Sequence, residues 1–274
     1  MAIKAADVSK LRKMTGAGMM DCKKALTETD GDFDAAVEII RKKGQAMANK
    51  RADRETTEGS SRALVSADGK KGAVLILKCE TDFVGKNESF VALADSILET
   101  ALNSDVTTKQ EILELEINGV TVKDVITEQI GVIGEKIEVE DYATISAEKV
   151  ISYIHPGSQL SVIVGFNQTD FDEQAGKDVA MQVAAMAPVG VDKNSVPADI
   201  VEQELRIGRE KAKEEGKPEA MLDKIAQGRL GKFYKESTLL EQAFVKDNKK
   251  SIKQYLTETS NGLTVTEFKR FSLS

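Results

Sequence analysis

The feature that most constrains the fold of this chain is an internal repeat without gaps. Thr81-Asp82-Phe83 recurs 88 positions later as Thr169-Asp170-Phe171, and Val74-Leu75-Ile76 recurs at the same offset as Val162-Ile163-Val164. Each copy places a hairpin turn before the apolar run and a helical pattern after the T-D-F motif. The repeat predicts an α+β fold whose core holds two pseudo-repeated α+β subdomains with antiparallel sheets.

The first T-D-F motif is predicted to lie on a short loop between a buried strand at 72–79 and a helix capped by Asn87. Loops at the mouth of a rigid sheet commonly carry binding residues, so Phe83 and Val84 are predicted to contact a partner. The alternative is that Phe83 packs under its own helix. In the second copy Asp172 replaces Val84, and its charged surroundings favour the first copy as the functional one.

Residues 1–55 are predicted to form a three-helix N-terminal domain with a basic linker. Helical periodicity covers roughly 7–14 and 19–28, with a glycine-rich break between them. A third helix is predicted to start after Asp32, a good N-cap residue, and to end at Gly44 in the usual C-terminal position.

The rest of the chain is predicted to divide into subdomain N at 56–148 and subdomain C at 149–274. Polar, small residues through position 61 indicate a linker at the start of subdomain N. Strands at 62–66 and 71–79 are then predicted to form a hairpin, because an Asp-Gly pair is a strong turn signal.

An inserted helical hairpin, resembling a short coiled coil, is predicted in subdomain C at 197–234. Pro197 suits the first turn of its first helix, and both helices are heavily charged with few apolar positions. The hairpin is predicted to project from the body, either as a spacer or as an arm through which the chain forms a homodimer. A last strand at 263–271 is predicted to complete the second sheet.

A basic run at 41–54 carries six basic residues and one acidic residue. Such a run serves either as a nucleic-acid-binding arm or as a solvated helix and linker. The formal net charge of the chain is -7, which opposes general nucleic-acid binding. We therefore favour the solvated helix and expect no direct contact with nucleic acid.

Composition favours a cytoplasmic protein. Cys22 and Cys79 are the only cysteines, and two thiols so far apart suggest no disulfide framework. The sequence starts without the apolar run of a signal peptide, and no apolar stretch is long enough to span a bilayer. We expect cytoplasmic localisation and no membrane contact.

The sequence lacks the motifs of an enzyme. Its one histidine, His155, lies in a predicted hairpin turn, and the two cysteines offer no metal-ligand spacing. No phosphate-cradling glycine loop and no Ser-His-Asp arrangement is visible. We therefore predict a non-catalytic protein that works by binding and carries no cofactor.

Two long motifs resemble those of the bacterial translation elongation factor Ts family. They are Met14-Thr-Gly-Ala-Gly-Met-Met-Asp-Cys-Lys-Lys-Ala-Leu26 and Cys79-Glu-Thr-Asp-Phe-Val84. The resemblance implies a ubiquitin-associated-like fold for the first domain and two similar α+β subdomains for the core. It also implies a guanine-nucleotide exchange factor that binds the GTPase elongation factor Tu and promotes GDP release during translation elongation.

The resemblance also implies roles for individual residues. The residues that would disturb the Mg²⁺ site of the partner are Thr81, Asp82, Phe83 and Val84. The residues that would contact the partner elsewhere are Arg12, Met19, Met20 and His155. Family members usually lack the second T-D-F motif, so that copy is interpreted as a relic.

Plainer interpretations of the same residues stay open. Arg12 could be an ordinary surface cation, and His155 a structural or surface residue. Met19 could belong to the core because it shares a helical face with Cys22, whereas Met20 is better placed to face outward. Two other functions also stay open, an RNA-binding module and a dimeric adaptor without exchange activity.

Overall fold

The computed structural model describes residues 3–273, and within them it contains eleven α-helices and ten β-strands. The helices α1 to α11 are Ala5–Thr15, Met19–Glu28, Phe33–Arg51, Asp82–Gly85, Glu88–Leu102, Lys109–Glu114, Val122–Ile133, Glu173–Met186, Ala198–Glu214, Leu222–Ser237 and Ile252–Thr259. The strands β1 to β10 are Glu58–Val65, Lys71–Cys79, Glu116–Ile117, Val120–Thr121, Glu138–Ser146, Lys149–Ile154, Leu160–Phe166, Ala243–Phe244, Asp247–Ser251 and Val265–Ser272. Helices combined with antiparallel sheets make the fold α+β, as predicted.

Two three-stranded sheets have the same strand arrangement. In the first sheet β2 lies between β1 and β5, and in the second sheet β7 lies between β6 and β10. All four pairings are antiparallel. In both sheets the central strand belongs to a hairpin, and the third strand comes from later in the chain. The last strand completes the second sheet, as the sequence predicts.

The two sheets pack face to face. Five buried residues from the two sheets form one core between them: Ala63, Val74, Ile145, Val150 and Ile163. The sheets approach closely at Gly72, where an added Cβ atom would lie 2.6 Å from Val150 Cγ1. The Val150 N–H also donates a hydrogen bond to the Gly69 carbonyl at 2.7 Å. Because interiors packed this tightly resist deformation, the paired sheets form a rigid base for the loops at their ends.

Helices cover the outer face of each sheet. On the first sheet α5 and α7 contribute Phe90 and Ile126 to one core. On the second sheet α8 and α11 contribute Val179 and Leu256 to another. With both faces covered, β2 is buried along almost its whole length, which explains why its sequence is a continuous apolar run rather than an alternating one.

The first three helices enclose a small core of their own, and α3 joins them to the rest of the protein. The prediction that α3 ends at Gly44 is wrong, because the helix continues to Arg51. Gly44 instead faces α7, where a Cβ atom added to Gly131 would lie 2.7 Å from Gly44 Cα. Only a residue without a side chain allows the two helices to come this close.

The first strand begins earlier than predicted. The linker prediction is wrong from residue 58 onward, because β1 already pairs with β2 there. Ser60 and Ser61 are fully buried, and a Cβ atom at Gly59 would lie 2.2 Å from the Leu77 carbonyl oxygen. These small residues therefore serve close packing against β2, although in sequence they are typical of a flexible linker.

The helical hairpin is formed by α9 and α10, close to the predicted bounds. The helices meet at Gly208, where an added Cβ atom would lie 3.1 Å from Ala226 Cα. Two ion pairs also join them, Arg209 with Asp223 and Arg229 with Glu215. Few side chains of the hairpin are buried, so most of its surface is polar and solvated.

Gly131→Ala is expected to destabilise the protein by about 1 kcal/mol or more, because the new methyl group would press on the backbone of α3. Gly228→Ala in α10 is the matched control, since nothing lies within 4 Å of its added Cβ atom. That substitution should stabilise by about 0.5–1 kcal/mol through helix propensity alone. Urea unfolding of both variants tests the pair, and equal stabilisation would contradict the close crossing of α3 and α7.

Candidate functional site

The T-D-F-V segment forms a tight helical turn, α4, at the end of β2 rather than an open loop. Phe83 is 84% exposed, more than any other large apolar side chain among the described residues. The alternative position of Phe83 under its own helix is therefore not observed. An aromatic ring left this exposed is unusual, because burial of its apolar surface is favourable.

The neighbours of Phe83 in the turn explain why its ring points outward. Val84 packs against the core of the first sheet. Gly85 is buried against β1, and a Cβ atom there would lie 2.8 Å from the Gly59 carbonyl oxygen. With Val84 and Gly85 both directed into the protein, a single helical turn leaves Phe83 on the solvent side.

Glu135 holds the start of the turn. It lies between α7 and β5, and its Oε2 atom accepts hydrogen bonds from the backbone N–H groups of Glu80 and Thr81 at 3.1 and 3.0 Å. The Thr81 hydroxyl donates to Glu135 Oε1 at 2.6 Å. One carboxylate thus satisfies three donors just before Phe83.

Glu80 is the second carboxylate that holds this segment, and it accepts hydrogen bonds from other parts of the chain. Arg51 Nη1, at the end of α3, donates to both carboxylate oxygens of Glu80 at 2.8 and 3.0 Å, and the Lys136 N–H donates to Glu80 Oε1 at 2.8 Å. Burial alone would raise the pKa of Glu80, but the Lys136 and Arg51 hydrogen bonds and the charges of Arg51 and Arg54 lower it. The carboxylate is therefore ionised at neutral pH. We name Arg51, Glu80 and Glu135 the carboxylate clamp.

Two further ionisable groups lie beside the turn. Burial, followed by the charge of Glu135, raises the pKa of the Cys79 thiol to about 12, so the thiol stays protonated and unreactive. Its S–H group donates to the Thr81 carbonyl at 3.2 Å. Asp82 is partly exposed and pairs with Lys86 at 2.7 Å; the hydrogen bond and charge of Lys86 lower its pKa.

The second T-D-F motif is arranged differently. Phe171 packs into the core of the second sheet, with its ring centroid 4.8 Å from that of Phe166. The Lys149 ammonium lies 4.7 Å from the centroid of the Phe171 ring. Asp172, which corresponds to Val84, caps α8 by accepting a hydrogen bond from the Gln174 N–H. The two copies thus have similar sequences but opposite orientations of the phenylalanine.

The predicted contact residues on α1 and α2 are exposed. Met19 is 57% and Met20 is 75% exposed, so neither belongs to the core that buries Cys22. Arg12 is exposed on α1. The turn between α1 and α2 lies close to α7, because a Cβ atom added at Gly16 would be 3.7 Å from Val132 Cγ2.

His155 is exposed at the tip of the β6–β7 hairpin. Its Nδ1 atom lies 3.0 Å from the Tyr153 hydroxyl. The same tip touches the first sheet, because the Ser158 carbonyl accepts a hydrogen bond from the Ser61 N–H at 2.6 Å. Ser61 lies two residues after Gly59, against which Gly85 of α4 packs. The hairpin tip and α4 therefore lie at the same end of β1.

Sequence reasoning missed the groups that hold the turn. Glu80 lies inside a recognised motif, but nothing nearby in sequence indicates its partners. In the sequence Arg51 is one residue of the basic run at 41–54, and no role is predicted for Glu135. A carboxylate directly after a helix-ending Gly134 is a weak signal, and the pairing itself could not be found without the fold.

The structure also bears on metal binding and on membrane insertion. Residues 3–273 contain no group of three or more His, Cys, Asp or Glu side chains that could hold a metal ion. None of the helices in that range is sufficiently long and apolar to cross a membrane. The arrangement thus offers an exposed aromatic ring on a rigid base, which is suited to binding.

Comparison with known proteins gives consistent matches along the chain. The family model described as elongation factor TS matches residues 80–274. Elongation factor Ts of Porphyromonas gingivalis is 54% identical over 277 residues, which cover 100% of this chain and 99% of the relative. Elongation factor Ts of Amoebophilus asiaticus is 53% identical over 272 residues, which cover 98% of each chain.

The two phenylalanines should differ sharply in their contribution to stability. Phe171→Ala is expected to lower the free energy of unfolding by roughly 1–2 kcal/mol, because it removes packing from a partly buried ring. Phe83→Ala should change it by less than about 0.5 kcal/mol, because the ring is exposed. Urea unfolding monitored by circular dichroism measures both, and a large loss in Phe83→Ala would mean that the ring is buried in solution.

Proposed function

The chain belongs to the elongation factor Ts family, and we propose that it serves protein synthesis as a guanine-nucleotide exchange factor for the GTPase elongation factor Tu. The observation that carries this proposal is Phe83, an exposed ring on a turn whose other residues are fixed. The protein needs no catalytic group of its own, because release of a nucleotide breaks no covalent bond.

The proposed mechanism is differential binding. A GTPase holds its nucleotide through phosphate contacts and a bridging Mg²⁺ ion. A protein that binds the nucleotide-free form more tightly than the loaded form must weaken nucleotide binding by the same factor. The exchange factor therefore acts if its strongest contacts exist only when the Mg²⁺ site of the partner is disturbed.

Phe83 provides such a contact. Burial of a phenylalanine side chain contributes about 1.5–3 kcal/mol, on the order of tenfold to a hundredfold in affinity. If its pocket in the partner opens only when elements beneath the Mg²⁺ site shift, this energy favours the nucleotide-free state alone. In this proposal Asp82 acts with Phe83 at the Mg²⁺ site, and Thr81 and Val84 frame them.

A wider interface is needed for the rest of the affinity. We assign Met19, Met20 and Arg12 to a second contact with the GTPase domain, because all three are exposed and methionine adapts well to binding surfaces. His155 adds a third contact from the β6–β7 hairpin, at the same end of β1 as the turn.

The domain organisation fits the same proposal. We assign 1–55 to a ubiquitin-associated-like domain, 56–148 to subdomain N and 149–274 to subdomain C, the latter two being copies of one unit. The identical strand arrangement of the two sheets supports the duplication. A factor that serves translation elongation would act in the cytoplasm.

An RNA-binding function receives no support from the basic run at 41–54. Arg41 pairs with Glu128 on α7 at 2.7 Å, and Arg51 pairs with Glu80. Further ion pairs within the N-terminal domain join Lys42 to Glu38 and Lys43 to Asp21. Much of the positive charge is thus paired with carboxylates of the same chain, which lowers its attraction for phosphates.

We also propose that the helical hairpin is an arm for self-association. Met221, at the tip, is exposed, and most of the hairpin surface is free of contacts with the body. Sedimentation velocity at micromolar concentration should show a dimer that becomes monomeric after Met221→Glu. A monomer in both cases would leave the hairpin as a spacer.

Phe83→Ala is expected to slow stimulated GDP release from elongation factor Tu by about tenfold to a hundredfold. Stopped-flow fluorescence of a labelled GDP measures the rate with and without the factor. Phe171→Ala is the matched control, assayed where it remains folded, and should exchange at nearly the wild-type rate. A wild-type rate in Phe83→Ala, or an equal loss in both variants, would contradict the assignment of Phe83.

A further inference from the structure

We propose that Glu135 is a positioning residue for Phe83, a role that rests on the proposed exchange function. Its carboxylate touches no partner in this account. It acts by fixing the Thr81 end of the turn, so that the backbone carrying the ring keeps one conformation. The role is distinct from those of the four residues of the motif, because Glu135 lies in another part of the chain.

The geometry singles out Glu135 among the acidic residues. Its carboxylate accepts three hydrogen bonds, all from Glu80 and Thr81. Those two residues immediately precede the helical turn that carries Phe83. Without these acceptors, two backbone N–H groups would lose their partners, and partly buried donors without partners favour rearrangement toward water.

The clamp also links the turn to the N-terminal domain. Arg51 ends α3 and bonds Glu80, while the Lys136 N–H next to Glu135 bonds the same carboxylate. α3 itself is packed against α7, whose C-terminal end leads directly to Glu135. The position of the ring is therefore set jointly by β2, the α7–β5 connection and α3.

Positioning matters because Phe83 has little else to orient it. The ring is 84% exposed, and within residues 3–273 no aromatic ring or ammonium group packs against it. If the turn were flexible, it would have to become ordered on binding. The free-energy cost of that ordering would reduce the energy available for weakening nucleotide binding. A fixed turn avoids that cost.

The first experiment tests positioning in the free protein, independently of any exchange activity. The chain contains no tryptophan, so Phe83→Trp introduces a single indole at the turn. Time-resolved anisotropy should show local motion limited to the side-chain rotation of the indole on a fixed backbone. Adding Glu135→Ala should raise the amplitude of the nanosecond local motion by at least about twofold. No change in that amplitude would overturn the proposal while leaving the exchange function intact.

Matched variants separate hydrogen bonding from charge and from general damage. Glu135→Gln keeps an acceptor for the two backbone N–H groups and should retain nearly the parental anisotropy. Thr81→Val removes only the 2.6 Å hydroxyl bond and should give a smaller increase in local motion. Glu128→Ala breaks the ion pair with Arg41 and should leave the indole unaffected. If Glu135→Gln behaved like Glu135→Ala, the role assigned to the acceptor geometry would be wrong.

The second experiment asks whether Glu135 acts through Phe83 during exchange. In the otherwise wild-type chain, Glu135→Ala should lower the maximal rate of GDP release by at least about fivefold. The concentration of factor at half-maximal rate should change by less than about twofold, because the wider interface is kept. In the Phe83→Ala background, Glu135→Ala should have almost no further effect.

Equal losses in both backgrounds would show a general structural role and overturn the proposal. Circular dichroism of each variant at the assay temperature confirms that the folded protein is compared. If the wild-type factor itself failed to accelerate GDP release, the proposed function would fall, and the anisotropy measurement would still decide whether Glu135 positions the turn.

Discussion

The structure around the candidate site depends on the two carboxylates that hold the end of β2. Glu135 accepts hydrogen bonds from the N–H groups of Glu80 and Thr81. Glu80 accepts hydrogen bonds from the Arg51 guanidinium and from an N–H of the α7–β5 connection. Three parts of the chain that are distant in sequence thus meet at one point. Polar networks whose members are all satisfied specify one arrangement, so Phe83 is carried on a fixed base.

The two sheets show how one pattern can serve two purposes. Each has the same strand arrangement and a T-D-F motif after its central strand. In the second sheet Phe171 packs on Phe166 and stabilises its own core. In the first sheet, Val84 and Gly85 occupy the inward positions, and Phe83 is left outside. Phe83 is exposed to solvent whereas its counterpart Phe171 is packed, and this difference supports the proposal that Phe83 binds a partner.

Local signals in the sequence predicted most elements, and contacts between distant elements account for the errors. The cap at Asn87 and the apolar run of β2 were identified correctly, because each depends on neighbouring residues. The sequence predicts a helix end at Gly44 and a linker at Gly59, and both predictions are wrong. Each glycine instead lacks a side chain at a point where another backbone segment packs closely. The bonds of Glu135 with Glu80 and Thr81, and of Arg51 with Glu80, follow only from the assembled fold.

We propose that burial of Phe83 becomes available only when the partner has lost its nucleotide. The most direct test is the affinity of the wild type and of Phe83→Ala for elongation factor Tu in its nucleotide-free and GDP-bound forms, measured by isothermal titration calorimetry. We expect Phe83→Ala to weaken binding to the nucleotide-free form by about tenfold to a hundredfold and hardly to affect binding to the GDP-bound form. Equal weakening of both forms would contradict it, because a contact made equally in both states cannot promote release.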